Sequence, residues 1–395
     1  MSESLTSLET IVPTATVESL RNVRDACVLD LRSPSEFADD HIPGAVNVPL
    51  FDDVQRAMVG TLYKQDSPEA AFREGRRVVL GRIRSLVAEI ARSAGWTVTD
   101  DDLEQRVERM TSGGIARMSA ELSTAHAELP HDPVVLHCWR GGLRSRSVIA
   151  FVRALGLTRA VGLEGGYKSW RRHVMERLDA WDAPPAFVLR GLTGVGKTLV
   201  LHEIEALRPG WTIDLEGLAA HRSSLLGMVG RQPVSQRAFE SGLAHRIDGG
   251  FPGPVVFEGE SRKVGDVVIP TRVWDVLRAG TDIELVAPTE RRVQVLVDDY
   301  LAGETSRDEL REKLPEVERR MKQAVPAGTL VELLDSDRVP ELVELLLSHY
   351  YDPLYRHSER RHQEQGRGYR ATIDTSDPGR AAQEVVDWIE AELSR

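Results

Sequence analysis

Cysteine is nearly absent: Cys27 and Cys138 are the only two in 395 residues. That scarcity excludes a disulfide framework and a thiolate-rich zinc site, and it fits a reducing compartment. Apolar runs long enough to span a membrane are missing, and Met1-Ser-Glu-Ser lacks the charged and apolar regions of a signal peptide. A cytoplasmic protein with no membrane partner is therefore expected. Low-complexity tracts and sustained heptads are also absent, which leaves an ordinary globular composition and, from length, two or three domains. The formal net charge of −11 argues against non-specific binding of nucleic acid over the whole surface.

Positive charge is nonetheless concentrated. From His137 to Arg177, eight arginines and one lysine meet only Glu164 and Glu176. From Phe72 to Arg92, six arginines meet Glu74 and Glu89. Acidic residues dominate elsewhere, as in Asp100-Asp101-Asp102 and from Asp298 to Glu318. Such segregation suits a polyanion such as RNA, although any one cluster also reads as a solvated helix face.

The stretch His137-Cys138-Trp139-Arg140-Gly141-Gly142-Leu143-Arg144-Ser145 lies inside the first basic region. Val134-Val135-Leu136 predicts a buried strand before it, and Ser145 to Leu155 predicts a helix that stops at Gly156. The glycines let successive N–H groups turn inward, and the helix N-terminus, Arg140 and Arg144 add positive charge. Such a turn binds a tetrahedral anion and lowers a thiol pKa, making Cys138 a candidate nucleophile with Arg140 and Arg144 as its anion partners. Cys27, in the apolar stretch Ala26 to Leu31, reads as a small packed hydrophobe.

A second anion loop follows. Asp182-Ala-Pro-Pro-Ala186 reads as a linker, and Phe187-Val-Leu-Arg190 as a strand leading into Gly191-Leu-Thr-Gly194-Val-Gly196-Lys197-Thr198. This is the GxxxxGK[ST] pattern in its strand, loop and helix setting. Gly191, Gly194, Gly196 and Lys197 would hold a diphosphate or triphosphate, and the Thr198 hydroxyl would ligate Mg²⁺. Glu258 or Glu260, at the end of Pro254-Val-Val-Phe, is the favoured acidic partner, with Asp214 and Glu216 competing. Thr289-Glu-Arg291-Arg292 reads either as a phosphate-contacting lid or as an exposed helix start. Tyr350-Tyr351 through Arg360-Arg361-His362 combines aromatics and cations as an RNA contact would, or as a packed helix ending in a solvated charge run would. A final amphipathic helix is expected from Asp374 to Ser394.

Asp30-Leu-Arg-Ser-Pro-Ser-Glu-Phe, then His41-Ile-Pro-Gly-Ala-Val-Asn-Val-Pro, resembles the opening signature of a rhodanese domain, and Leu163-Glu-Gly-Gly-Tyr-Lys-Ser-Trp170 its closing turn. That resemblance implies a small α/β domain with a parallel sheet, interrupted by a helical insertion at about 51–129. The expected organisation is a rhodanese-like domain at 1–181, a linker at 182–186, a P-loop NTPase-like α/β domain at 187–345 and a helical C-terminal region at 346–395.

Cys138-x5-Arg144-Ser145 also matches the cysteine-phosphatase signature, and its loop is longer than that of ordinary rhodanese sulfurtransferases. A P-loop small-molecule kinase and a phosphate-responsive binding module are the other classes to weigh. The ordered set of motifs from about Leu29 to Tyr355, including Asp214-Leu-Glu-Gly-Leu-Ala-Ala-His-Arg222 and Glu258-Gly-Glu-Ser-Arg262-Lys, resembles the bacterial tRNA 2-selenouridine synthase family. The resemblance implies a transferase that replaces sulfur by selenium in 2-thiouridine at the tRNA wobble position. It further implies selenophosphate and geranyl diphosphate as co-substrates, a geranylated 2-thiouridine intermediate, no tightly bound cofactor, and a selenophosphate-producing enzyme as functional partner. Cys138 would then accept or relay selenium, or attack the activated base. The P-loop would grip the prenyl diphosphate, with ATP or GTP compatible with the same motif.

Overall fold

The computed structural model describes residues 10–23, 25–99, 101–301, 306–321, 325–354 and 368–395. The chain divides into two compact units, Met1–Glu176 and Arg177–Arg395.

The first unit is built on six parallel strands: β1 (Thr10–Ala15), β2 (Cys27–Asp30), β3 (Val46–Asn47), β4 (Leu122–His126), β5 (Val134–His137) and β6 (Ala160–Leu163). Their spatial order is β3-β2-β5-β6-β1-β4. β5 and β6 are buried along their whole length, as expected of parallel strands covered on both faces. Two strands depart from expectation. β1 has no counterpart in the sequence reading, and β4 closes an insertion expected to be helical; the two pair over Thr10–Thr14 and Leu122–His126.

The rest of the insertion is helical: α1 (Asp53–Gln65), α2 (Pro68–Ser93), α3 (Leu103–Thr111) and α4 (Gly114–Glu121). α1 begins with an Asp52/Gln55 capping box, and α2 with a Ser67 cap followed by Pro68. Val78, Ile83, Leu86, Val87 and Ile90 form the buried stripe of α2 and share one core with Leu29, Val134 and Leu136 of the sheet. At about 1.5–3 kcal/mol for each fully buried aliphatic side chain, this stripe makes the insertion integral to the domain rather than an appendage. α5 (Leu143–Ala154) follows the cysteine loop, and α6 (Gly166–Asp179) follows β6.

The second unit carries a parallel sheet of β7 (Ala186–Arg190), β8 (Thr212–Ile213), β9 (Val255–Glu258), β12 (Thr281–Val286) and β13 (Ala371–Asp374), in the order β13-β12-β7-β9-β8. A hairpin, β10 (Lys263–Val264) with β11 (Val267–Val268), lies outside it. β7 is central, so the loops after β7, β8 and β9 gather at the carboxyl edge, where open α/β sheets bind ligands. α7 (Lys197–Leu207) packs through Val200, Leu201 and Ile204 against Ala381, Val385, Val386 and Ile389 of the last helix, Pro378–Leu393. The C-terminal region is thus not purely helical. β13 is the sheet's edge strand, and its partner β12 aligns Ile283–Val286 with Ala371–Asp374.

Between β12 and β13 the chain forms α8 (Thr289–Tyr300), α9 (Ser306–Arg320), α10 (Thr329–Asp335) and α11 (Val339–Leu346) around a separate apolar core. Tyr350 and Tyr351 belong to that core, with 8% and 3% of their surface exposed, so they take the packed reading. Tyr355, Arg356, His357, Arg360, Arg361 and His362 lie outside the described residues. Among the described residues no helix is long and apolar enough to cross a membrane.

Candidate active site: two anion-binding loops

Cys138 immediately follows β5, and α5 starts five residues later behind Gly142 as N-cap. Only 2% of Cys138 is exposed, and its Sγ lies 3.3 Å from Ser145 Oγ. Burial opposes ionisation of the thiol. The charge of Arg144, the Ser145 hydroxyl and the backbone N–H groups of Arg140 and Ser145 outweigh it and hold the pKa below the ordinary thiol value. Arg140 also serves the thiol through its backbone. Its side chain is exposed, and its peptide N–H is the group that serves the sulfur.

The β6–α6 turn clamps this loop from behind. The N–H of Tyr167 donates to the Cys138 carbonyl at 2.9 Å, and the N–H of Lys168 to the Trp139 carbonyl at 3.0 Å. The approach is close enough to require glycine: a Cβ on Gly166, at φ +60°, would sit 2.3 Å from the Cys138 oxygen. The turn is pinned through Tyr167, whose hydroxyl donates to Asp40 Oδ2 at 2.6 Å and whose ring lies 3.6 Å under the Arg32 guanidinium. Arg32, 1% exposed, is bidentate to Asp30 and also donates to the Asp40 carbonyl at 2.7 Å. Removing one member of such a buried pair costs on the order of 3–5 kcal/mol, so Asp30 and Arg32 of the opening signature act as foundations of the site. His137 is fully buried with its Nε2 3.8 Å from Asp30 Oδ2, and burial keeps its imidazole below its usual pKa.

The loop between β7 and α7 bends through three left-handed glycines. Gly194, at φ +81°, has no room for a Cβ, which would meet the Arg292 carbonyl at 2.8 Å. Gly196, at φ +85°, is the N-cap of α7. Lys197 Nζ donates to the Gly191 carbonyl at 3.1 Å, folding back over the loop. Thr198 donates its hydroxyl to Glu258 Oε2 at 3.0 Å, and Glu258 Oε1 accepts the Glu216 N–H at 2.7 Å. This separates the competing carboxylates. Glu258 meets the P-loop threonine, whereas Asp214 accepts from His202 at 2.9 Å and caps the short helix Leu215–Ala219. Burial, then the neighbouring carboxylates Glu216, Asp214 and Glu260, raises the Glu258 pKa well above the ordinary range. Burial and Glu260 push Glu216 up to about 8. Among the described residues no three His, Cys, Asp or Glu side chains converge on one metal position, so the oxygen donors that this loop can offer a cation are the Thr198 hydroxyl and the Glu258 carboxylate rather than a closed cage.

A cavity of about 1100 Å³ adjoins this loop, lined by Gly194, Lys197, Thr198, Arg222, Arg231 and Arg291 among others. The two arginines read as a lid separate here. Arg292 is buried, donates to the Thr193 carbonyl at 2.9 Å and pairs with Asp352, so it braces the loop, whereas Arg291 faces the cavity. Arg222 and Ser223 line the same cavity without having been singled out as functional; Arg222 ends the Asp214–Arg222 motif and Ser223 follows it.

The first unit has its own cavity of about 680 Å³, bounded by the insertion helices and the Cys138 loop. The helical period of α2 was legible in sequence, but which apolar residues face a core and which face a space was not.

A cysteine loop on a rhodanese-like sheet, joined to a P-loop α/β domain with a helical elaboration, defines the class of this protein. The family model described as the tRNA 2-selenouridine synthase AAA domain matches residues 184–391, and the rhodanese-like domain model matches residues 15–81. The tRNA 2-selenouridine synthase of Cupriavidus necator is 33% identical over 83% of this chain and 87% of its own length. Proteins of the same name from Chromohalobacter salexigens and Cupriavidus pinatubonensis are each 30% identical, covering 84% and 93% of this chain and 87% and 95% of their own. The chain belongs to the tRNA 2-selenouridine synthase family.

Proposed function

We propose that the chain replaces the sulfur of 2-thiouridine by selenium at the tRNA wobble position, in two steps served by the two loops. The observation that carries this reading is a thiol held below its ordinary pKa inside an anion-binding turn, in a member of the tRNA 2-selenouridine synthase family.

Sulfur on C2 of a uracil is a poor leaving group until it is alkylated. In the first step the base sulfur attacks the first carbon of geranyl diphosphate. The S–C bond forms, the C–O bond breaks, and diphosphate leaves with the bonding pair. Gly191, Gly194, Gly196 and Lys197 are suited to hold that diphosphate through backbone N–H groups and one ammonium. Thr198 and Glu258 would hold Mg²⁺, which supplies neutralisation of the diphosphate charge.

In the second step the Cys138 thiolate adds to C2 and expels geranylthiolate, which takes the electron pair of the C2–S bond. The selenium of selenophosphate then attacks C2 and displaces Cys138. Water cleaves the Se–P bond, releasing phosphate and leaving 2-selenouridine. Arg144 and the loop N–H groups stabilise the anions that gather there, with Arg140 at the exposed rim. An enzyme that makes selenophosphate is the functional partner this scheme requires.

The test is nucleoside mass spectrometry on a 2-thiouridine anticodon hairpin incubated with the purified chain. Geranyl diphosphate alone is expected to give S-geranyl-2-thiouridine, and added selenophosphate to convert it to 2-selenouridine. Unchanged nucleosides with phosphate released from selenophosphate would overturn the reading in favour of a cysteine phosphatase.

A further inference from the structure

The cavity of the first unit differs in chemistry from everything else around the Cys138 loop. Its volume, about 680 Å³, is that of a small-molecule site, and its walls include Val59, Phe72, Val79, Ile83, Met110 and Leu143. Cys138, Arg140 and Arg144 also line it. Most of the lining is apolar, with Arg56, Lys64 and Arg76 among its charged members, so the space suits a hydrocarbon group that carries a polar end.

α1 supports the same conclusion independently. It runs for thirteen residues, Asp53–Gln65, without one buried residue, and its Met58 and Tyr63 are 37% and 61% exposed. Val59 and Tyr63 line the cavity. A capped helix whose apolar residues remain half open over a space is a wall waiting for its filling. Polar atoms add a further indication. Arg76, also in the lining, has a buried Nε with no hydrogen-bond partner, and Arg140 and Arg144 are further cations in the lining beside Cys138. The ligand that matches is an amphiphile: a flexible hydrocarbon chain whose polar, anion-bearing end meets the cysteine loop.

We propose that this cavity binds the acyclic prenyl chain carried on the sulfur of the tRNA base, and so presents the base's C2 to Cys138. The assignment rests on the prenylated-intermediate route above and names the subsite that recognises the intermediate. It explains how one loop can select the activated base: a plain 2-thiouridine has nothing to put in the cavity, and a prenylated one does. The same chain also occurs on the prenyl diphosphate donor, so the test separates the two sources.

Full-length protein and two variants, Val79→Trp to fill the cavity and Phe72→Ala to enlarge it, are titrated with three ligands. These are a 2-thiouridine hairpin, its S-geranyl derivative and geranyl diphosphate. Wild type is expected to bind the S-geranyl hairpin at least tenfold more tightly than the plain one, and Val79→Trp to lose that ratio while keeping its affinity for geranyl diphosphate. Phe72→Ala is expected to shift preference toward a fifteen-carbon S-farnesyl hairpin by several-fold, a change that general loosening of the fold does not produce and that carries the test should Val79→Trp fail to fold. Equal binding of the plain and S-geranyl hairpins by wild type, or an unchanged ratio and chain-length preference in the folded variants, would overturn the proposal. So would loss of geranyl diphosphate affinity alone in Val79→Trp, which would assign the cavity to the donor. The underlying reaction fails separately: a cavity-dependent preference without any 2-selenouridine formed from selenophosphate sinks the two-step route, while selenation with an unchanged ratio sinks only the cavity.

Discussion

The Cys138 loop and the 191–198 loop use the same backbone device for different chemistry. Each follows a buried parallel strand, bends through left-handed glycine (Gly141 in the first, Gly194 and Gly196 in the second) and ends on a helix N-terminus. Both therefore offer N–H groups and partial positive charge to an anion. What differs is the side chain placed in the turn. The first aims a thiol, brings Arg144 and Ser145 to it, and backs onto an apolar cavity. The second aims an ammonium and places a hydroxyl against a cluster of carboxylates. An anion cradle is generic, and the chemistry comes from one or two residues within it.

If that division holds, breaking each loop should abolish a different step. Cys138→Ser is expected to reduce conversion of S-geranyl RNA to 2-selenouridine by at least about 10³-fold while leaving geranylation within about twofold, as timed nucleoside analysis would read. Lys197→Ala is expected to do the reverse, slowing geranylation by about 10²-fold with selenation of pre-geranylated RNA nearly unchanged. A loss of both steps in either variant would mean that the loops act as one site.

Smaller effects sharpen the comparison. Gly166→Ala places a methyl against the Cys138 carbonyl in a left-handed turn, and is expected to cost about 1–3 kcal/mol in denaturant unfolding and to slow Cys138 alkylation. Arg144→Ala removes a cation that favours the thiolate, so the Cys138 pKa should rise and the pH profile of alkylation should move to higher pH. Arg144→Lys should retain part of the wild-type rate, and a pH profile that does not move in Arg144→Ala would show that the backbone and Ser145 set the pKa alone.

Both loops were legible in sequence because their function is written in local spacing: glycines, a cysteine or lysine, and a strand and helix on either side. The choice among Glu258, Glu260 and Asp214 was not, since it depends on where β9 ends relative to Thr198, and a shift of two residues keeps the same face. β1, β4 and β13 were missed for a related reason. β1 carries Pro13 and an exposed start, and β4 and β13 are edge strands with mostly uncovered residues, so apolar alternation barely marks them. Helical periodicity along α2 marks Val78, Val79, Ile83, Leu86, Val87 and Ile90 as apolar, yet all of these but Val78 also line the cavity. A sequence pattern reports that a side chain avoids water and is silent on whether protein or ligand covers it.

The most direct measurement is single-turnover conversion of a pre-geranylated 2-thiouridine hairpin with selenophosphate, followed by nucleoside mass spectrometry, in wild type and Cys138→Ser. The account predicts 2-selenouridine and released geranylthiol in wild type and intact S-geranyl-2-thiouridine in the variant. Equal conversion by both proteins would contradict it, because the thiol at the centre of the cradle would then have no part in the exchange.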